Sequence, residues 1–223
     1  MRRPSIRLAF ALALLAAYYL TLFDTAAPAA TPMVEETMRR DLETSAAAFS
    51  AEQYAAALEP TKRLTERLPT QAIYFDRLAR IQQKLGTFGE EAKAWEGVFR
   101  TSPTPVDACP MLGQAYERLN DTPRAVDAYE RCLSVEPTNP DLLLFLGRVY
   151  SGAGRAQEAE QVLERALTFA PDYPDVHLVL GVRNFADGRL TDARARFERF
   201  LELSPERRDE VAVWLDRTKG VAR

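Results

Sequence analysis

One histidine and two cysteines are all that 223 residues contain. A structural zinc site takes four Cys or His ligands and a disulfide-dense miniprotein takes many more cysteines, so the chain fits neither class. Positive charge is also in short supply: Lys+Arg total 29 against Asp+Glu 32, a formal net charge of -3. A dedicated nucleic-acid binder carries the opposite balance, so no nucleic-acid partner is expected. No glycine-rich phosphate loop is present, since Gly152 and Gly154 fall in a turn between helical stretches. His177 has no Ser, Asp or Cys constellation tied to it, and it falls at a packing position. Acidic pairs such as Glu90 with Glu91 and Glu158 with Glu160 read as the solvated faces of helices. No enzymatic activity, no metal and no cofactor is expected.

Long apolar runs are absent except at the start. Arg2, Arg3 and Arg7 precede an uncharged run over residues 8–23, which is followed by Asp24 and a small-residue tract with Ala27, Ala29 and Ala30. A basic start, an apolar middle and a small-residue exit describe a targeting segment. Residues 1–30 are therefore expected to be a signal peptide or a transmembrane anchor, contacting the membrane through this segment alone. The arginines precede the apolar run, so the rest of the chain falls on the extracytoplasmic side.

Proline is plentiful, with 14 residues, and five of them form a ruler: Pro69, Pro103, Pro137, Pro171 and Pro205 are each 34 residues apart. Units of one length follow at 38–71, 72–105, 106–139, 140–173 and 174–207. The last three share Leu112-Gly113, Leu146-Gly147 and Leu180-Gly181, then Ala125, Ala159 and Ala193, then Tyr129, Leu163 and Phe197. Apolar residues spaced three and four apart on both sides of Asn120 predict two short amphipathic helices in each unit. Such a pair buries too little surface alone, so neighbouring pairs must stack, and the small Gly113, Gly147 and Gly181 permit close packing.

The first two units fit less well. Six residues separate Gly86 from Ala92, where five separate Gly154 from Ala159, which predicts a second helix rotated or lengthened by one residue. The first unit holds Thr44-Ser45 in place of Leu-Gly and reads as a terminal unit. Asp107 and Asp141 read as helix caps, and Pro110 then falls in a first turn, where a missing N–H is tolerated. After Pro205, residues 208–223 read as a capping helix and tail. In this stretch Val211, Trp214 and Leu215 cover the last unit, while Arg207, Arg208, Asp209 and Glu210 face water.

This pattern of residues over 38–207 resembles the tetratricopeptide repeat family. The resemblance implies an all-α, right-handed superhelical solenoid of about five helix-turn-helix repeats, with a concave face lined by the first helix of each unit. On that basis the lining residues are Asp76, Arg80 and Lys84, then Pro110, Gln114 and Glu117, then Leu144, Arg148 and Ser151, then Leu178, Val182 and Phe185. The face is basic at one end and apolar at the other, suited to an extended peptide or helix with an acidic portion and apolar anchors. Leu42, Ala46 and Pro110 stand where the chaperone-tail binders of the family carry clamp-type polar residues, so that specialised role is not implied.

Cys109 lies eleven residues before Asn120 and Cys132 twelve after it, which puts the two at one height in an antiparallel pair. They form either a disulfide or two separately buried small side chains. The expected function is a protein-protein interaction scaffold binding a protein partner on the extracytoplasmic side. The alternative is a structural or oligomerising component of a membrane-associated complex, with Leu178, Val182 and Phe185 meeting a second copy.

Overall fold

The computed structural model describes residues 32–102, 104 and 108–219. The architecture is an all-α solenoid of five antiparallel helix pairs closed by a final helix. The second helices are α2 (Tyr54–Arg67), α4 (Phe88–Thr101), α6 (Thr122–Val135), α8 (Ala156–Phe169) and α10 (Leu190–Leu203), each of 14 residues. Their partners are α1 (Pro32–Ser50), α3 (Ala72–Lys84), α5 (Cys109–Arg118), α7 (Pro140–Gly152) and α9 (Pro174–Ala186). A single 3-10 turn (Pro205–Arg207) leads to α11 (Arg208–Arg217). Pro69, Pro137, Pro171 and Pro205 each stand two residues past the end of a second helix, where a residue without an N–H breaks no helical bond. Pro103 and Asp107 lie outside the described residues.

The turn inside each pair repeats with the same period. Glu52, Gly86, Asn120, Gly154 and Gly188 all have positive φ, between 55° and 74°. Glycine and asparagine adopt that conformation at little cost, and Glu52 adopts it because the surrounding pair dictates the turn. The register of α4 corrects the expectation of a shifted second helix. Gly86 precedes α4 by the same interval as Gly154 precedes α8. The extra residue is only apparent, because Glu91, not Ala92, occupies the position held by Ala57, Ala125, Ala159 and Ala193. All five are fully buried. Glu91 is therefore not part of a solvated face: the repeat geometry carries its side chain inward whatever its polarity.

Within each of the last three pairs, a glycine on the first helix meets a large side chain on the second. A Cβ placed on Gly147 would lie 2.6 Å from the Leu163 side chain, and one on Gly181 would lie 2.6 Å from the Phe197 ring. Gly113 is filled in the same way by the Tyr129 ring. The glycines therefore admit a side chain of the partner helix rather than its backbone. The first pair solves the same position with polarity: Ser45 and Thr61, both fully buried, share a 2.8 Å hydroxyl hydrogen bond. Beside them, Asp41 is buried under Arg63, which donates at 2.6 Å. That hydrogen bond holds the Asp41 carboxyl below the usual carboxylate range.

The pairs are stitched to one another by recurring polar contacts. Tyr150 donates to Glu130 at 2.8 Å and Tyr116 reaches Glu96 at 3.4 Å, the same two positions one unit apart. Arg131 joins Glu96 at 2.9 Å and Arg189 joins Glu160 at 2.7 Å. At the start of α7 the cap is Asn139, whose side chain accepts from the N–H groups of Asp141 and Leu142. Asp141 thus sits inside the first turn, where its charge suits the helix N-terminus. Pro110 falls in the first turn of α5, as the spacing predicts.

The expectation of a transmembrane helix is corrected: no helix among the described residues is long and apolar enough to cross a membrane. Residues 1–30, on which that expectation was placed, lie outside the described residues.

Candidate binding groove

The final helix α11 begins 34 residues after α9, which itself begins 34 after α7. It caps the solenoid in the register of a first helix, so α7, α9 and α11 stand side by side. Between them runs an open groove of about 870 Å³. Leu144 and Phe145 of α7 and Leu178, Val179 and Val182 of α9 form its apolar floor, and Trp214 of α11 forms the far wall. The i, i+4 spacing of Leu144 with Arg148, of Leu178 with Val182 and of Glu210 with Trp214 places each pair on one face of its helix.

Packing fixes the far wall. The Trp214 ring meets Phe185 edge to face at 4.9 Å between centroids and stacks on Phe197 at 6.3 Å. Val211 of the same helix is fully buried against the last pair. Arg207 does not face water freely as expected: it pairs with Asp175 at 2.8 Å and with Glu210 at 2.6 Å, and its guanidinium lies 4.8 Å from the Phe200 ring centroid. These contacts raise the Arg207 pKa further, chiefly through the hydrogen bond to Glu210. Asp175, Arg207 and Glu210 all line the groove, and their charges are spent largely on one another.

Two further arginines line it. Arg183 of α9 is only 13% exposed and joins Asp187 at 2.9 Å, while its Nε is buried with no hydrogen-bond partner among the described residues. Arg148 of α7 makes no ion pair within 4.0 Å among the described residues. Arg148 also borders an adjoining polar pocket with Gln114, Glu117 and Phe145.

The structure therefore brings Leu144, Arg148, Leu178 and Val182 to one groove, with Gln114 and Glu117 next to it through Arg148. Glu117 is already engaged, accepting from the Tyr129 hydroxyl at 2.7 Å. Burial and this bond push the Tyr129 pKa well up. Asp76, Arg80 and Lys84 are on α3, apart from the groove. Arg80 is paired with Asp76 at 2.9 Å and lies 5.8 Å from the Trp95 ring, and Lys84 is exposed. Phe185 packs under Trp214 rather than presenting an anchor. The sequence places Trp214 over the last unit but marks neither Trp214 nor Arg183 as a groove residue. The 34-residue step from Pro174 to Arg208 was the signal that could have found Trp214.

His177 lies beneath this region, 6% exposed. Its Nε2 is 2.9 Å from the Pro171 carbonyl, and Arg196 approaches Nδ1 at 3.4 Å. Nε2–H donates to the carbonyl, so Nδ1 is the acceptor for Arg196 and the ring is neutral. Arg196, Arg199 and Glu164 are the charged groups around it, and burial first, then the two arginines, lower its pKa below the ordinary 6.5. A depressed imidazole pKa means that the unfolded chain takes up the proton first. Stability is then full above pH 6.5 and falls as the pH drops below it. Thermal melts of the wild type and of His177→Leu between pH 7.5 and 5 are expected to diverge as the pH falls, the wild type losing the more. Parallel curves would contradict this placement of the proton.

Cys109 at the start of α5 and Cys132 on α6 are joined as a disulfide, with Cα atoms 6.0 Å apart and a sequence separation of 23. Both are fully buried. Among the described residues no group of three or more His, Cys, Asp or Glu side chains could hold a metal ion.

This geometry defines a helical-repeat protein with its open surface on the first-type helices. The family model of the tetratricopeptide repeat matches residues 116–181. Solved tetratricopeptide-repeat structures share the fold of this chain along nearly their whole length. MamA is 17% identical with a TM-score of 0.66, covering 85% of this chain and 98% of its own. YrrB, a TPR protein with an unusual peptide-binding site, is 16% identical with a TM-score of 0.64, covering 84% of this chain and 98% of its own. A thermophilic TPR protein of Thermus thermophilus is 24% identical with a TM-score of 0.56, covering 80% of this chain and 97% of its own. No curated protein sequence matches the chain.

Proposed function

We propose that this chain is a protein-protein interaction scaffold that holds a segment of a protein partner in the groove between α7, α9 and α11. One observation carries the reading: an apolar floor of leucine, valine and phenylalanine stands open on a rigid scaffold, in a volume typical of binding clefts. A preformed groove lowers the ordering cost of capture. The fold shared with YrrB, a TPR protein with an unusual peptide-binding site, supports peptide capture by such a scaffold. The oligomerising alternative is weakened, since Phe185 is already covered by Trp214.

The repeats work outside the cytoplasm in this reading. The basic-then-apolar start of the sequence and the buried Cys109–Cys132 pair both support an oxidising compartment. A disulfide closing a loop of this length contributes about 2–4 kcal/mol. Reduction of the unfolded chain, or Cys109→Ala with Cys132→Ala, is expected to lower the unfolding free energy by that amount in urea titrations. Intact mass of the exported protein two hydrogens short of the dithiol form supports the assignment, and two free thiols in it would contradict it.

A photo-cross-linker at Val182, compared with one at Arg165 on α8, tests the groove in the living source cell. A discrete adduct with another protein from position 182 alone is expected. An adduct with a second copy of this chain would favour the oligomerising alternative, and none at either position would contradict both.

A further inference from the structure

The groove has an apolar floor and one unspent charge, and together these specify more than an apolar guest. Five ionic side chains line it: Arg148, Asp175, Arg183, Arg207 and Glu210. Three of them close on one another, Arg207 reaching Asp175 at 2.8 Å and Glu210 at 2.6 Å. Arg183 is tied through one nitrogen to Asp187, and its Nε is left buried without an acceptor among the described residues. Arg148 stands opposite on α7 with no carboxylate within ion-pair distance among the described residues. A buried donor left unmade is costly, and a guanidinium beside apolar walls gains more from an incoming anion than one in bulk water.

Resting on the reading of the groove as the partner site, we propose that it selects a partner segment with an Asp or Glu side chain flanked by apolar residues. The carboxylate sits between Arg148 and Arg183, and the apolar neighbours pack on Leu178, Val182 and Trp214. A single negative charge fits better than a dianion, because Asp175 and Glu210 share the groove and have only Arg207 between them. The acid sets which segment binds, and the floor supplies most of the burial.

The probe is a random peptide library displayed on phage and selected against the full chain. Peptides with an acid between apolar residues are expected to dominate. Synthetic copies are then measured against the wild type, Arg148→Gln and Val182→Lys, each checked for an unchanged melting temperature. Arg148→Gln should weaken binding by roughly thirtyfold or more, and changing the peptide's acid to its amide should do the same, with little further loss when the two changes are combined. Val182→Lys should abolish binding whatever the peptide. Peptides that lose binding with Val182→Lys but lack an acid and ignore Arg148→Gln would overturn the proposed selectivity and leave the groove reading standing. Peptides indifferent to Val182→Lys, or a stable dimer of the chain that occupies the groove and blocks all selection, would overturn both.

Discussion

Replacing Glu91 with alanine is expected to destabilise the protein by about 3–5 kcal/mol, although alanine is the residue at the equivalent position of the other four units. The reason lies in the next unit. Glu91 is fully buried, and its Oε1 accepts from Trp95 Nε1–H at 3.3 Å and from Arg118 at the end of α5. Arg118 in turn lies over the Phe88 ring, 5.3 Å from its centroid. Glu91→Ala removes the carboxylate and leaves a half-buried guanidinium without its ion-pair partner. The double variant Glu91→Ala with Arg118→Leu should recover most of the loss, since replacing both partners of a buried pair by apolar groups is often neutral or stabilising. Glu91 Oε2 and Arg118 Nε have no partners among the described residues, which makes the pair an incompletely satisfied one and favours that recovery. Urea titrations of the two variants check this. A single variant as stable as the wild type would show that the pair contributes nothing.

Phe197→Ala is expected to cost about 3–5 kcal/mol and, unlike Glu91→Ala, to damage the groove as well. Phe197 is fully buried in the last complete pair, its ring fills the space over Gly181, and Trp214 stacks on it. The cavity left behind cannot be refilled by Gly181, which has no side chain to relax into it. Trp214 loses its platform, so the far wall of the groove loosens even where the rest of the solenoid stays folded. Tryptophan fluorescence should report this as an emission shift well below the midpoint of global unfolding. A variant with a lowered midpoint but wild-type emission before the transition would mean that Phe185 alone holds Trp214 in place.

These two residues mark where the sequence was and was not legible. The period was legible because the position just past a helix suits a residue without an N–H, so Pro69, Pro137, Pro171 and Pro205 recur with the fold, while Pro60 inside α2 stands outside that register. The helix faces followed from the spacing of apolar residues, as with Leu178 and Val182. Glu91 was not legible because its charge argued for solvent, whereas its place in the repeat argued for the core. Only Arg118, supplied by another unit 27 residues away, makes burial tolerable. Counting to the next alanine then produced a false shift of α4.

The groove was half legible for a similar reason. Its floor came from α7 and α9, which lie inside complete units. Its far wall came from α11, the capping helix, whose step of 34 residues places it beside α9 as the first helix of a unit would be. Without the path of α11, Phe185 looks like an open anchor and Arg207 like a solvated charge. With it, Phe185 is part of the wall's support and Arg207 joins Asp175 and Glu210 in a closed set. Arg148 is left as the unspent cation, and the preference for an acidic partner segment rests on it.

The central claim is that partners bind between α7, α9 and α11. Methyl-labelled full-length protein titrated with a peptide enriched by selection tests it most directly, through NMR shifts of individual leucine, valine and isoleucine methyl groups. The account predicts that Leu144, Leu178, Val179 and Val182 shift in step with peptide concentration while Ile73 and Ile81 on α3 stay in place. Shifts at Ile73 and Ile81 with the four groove residues unmoved would contradict it.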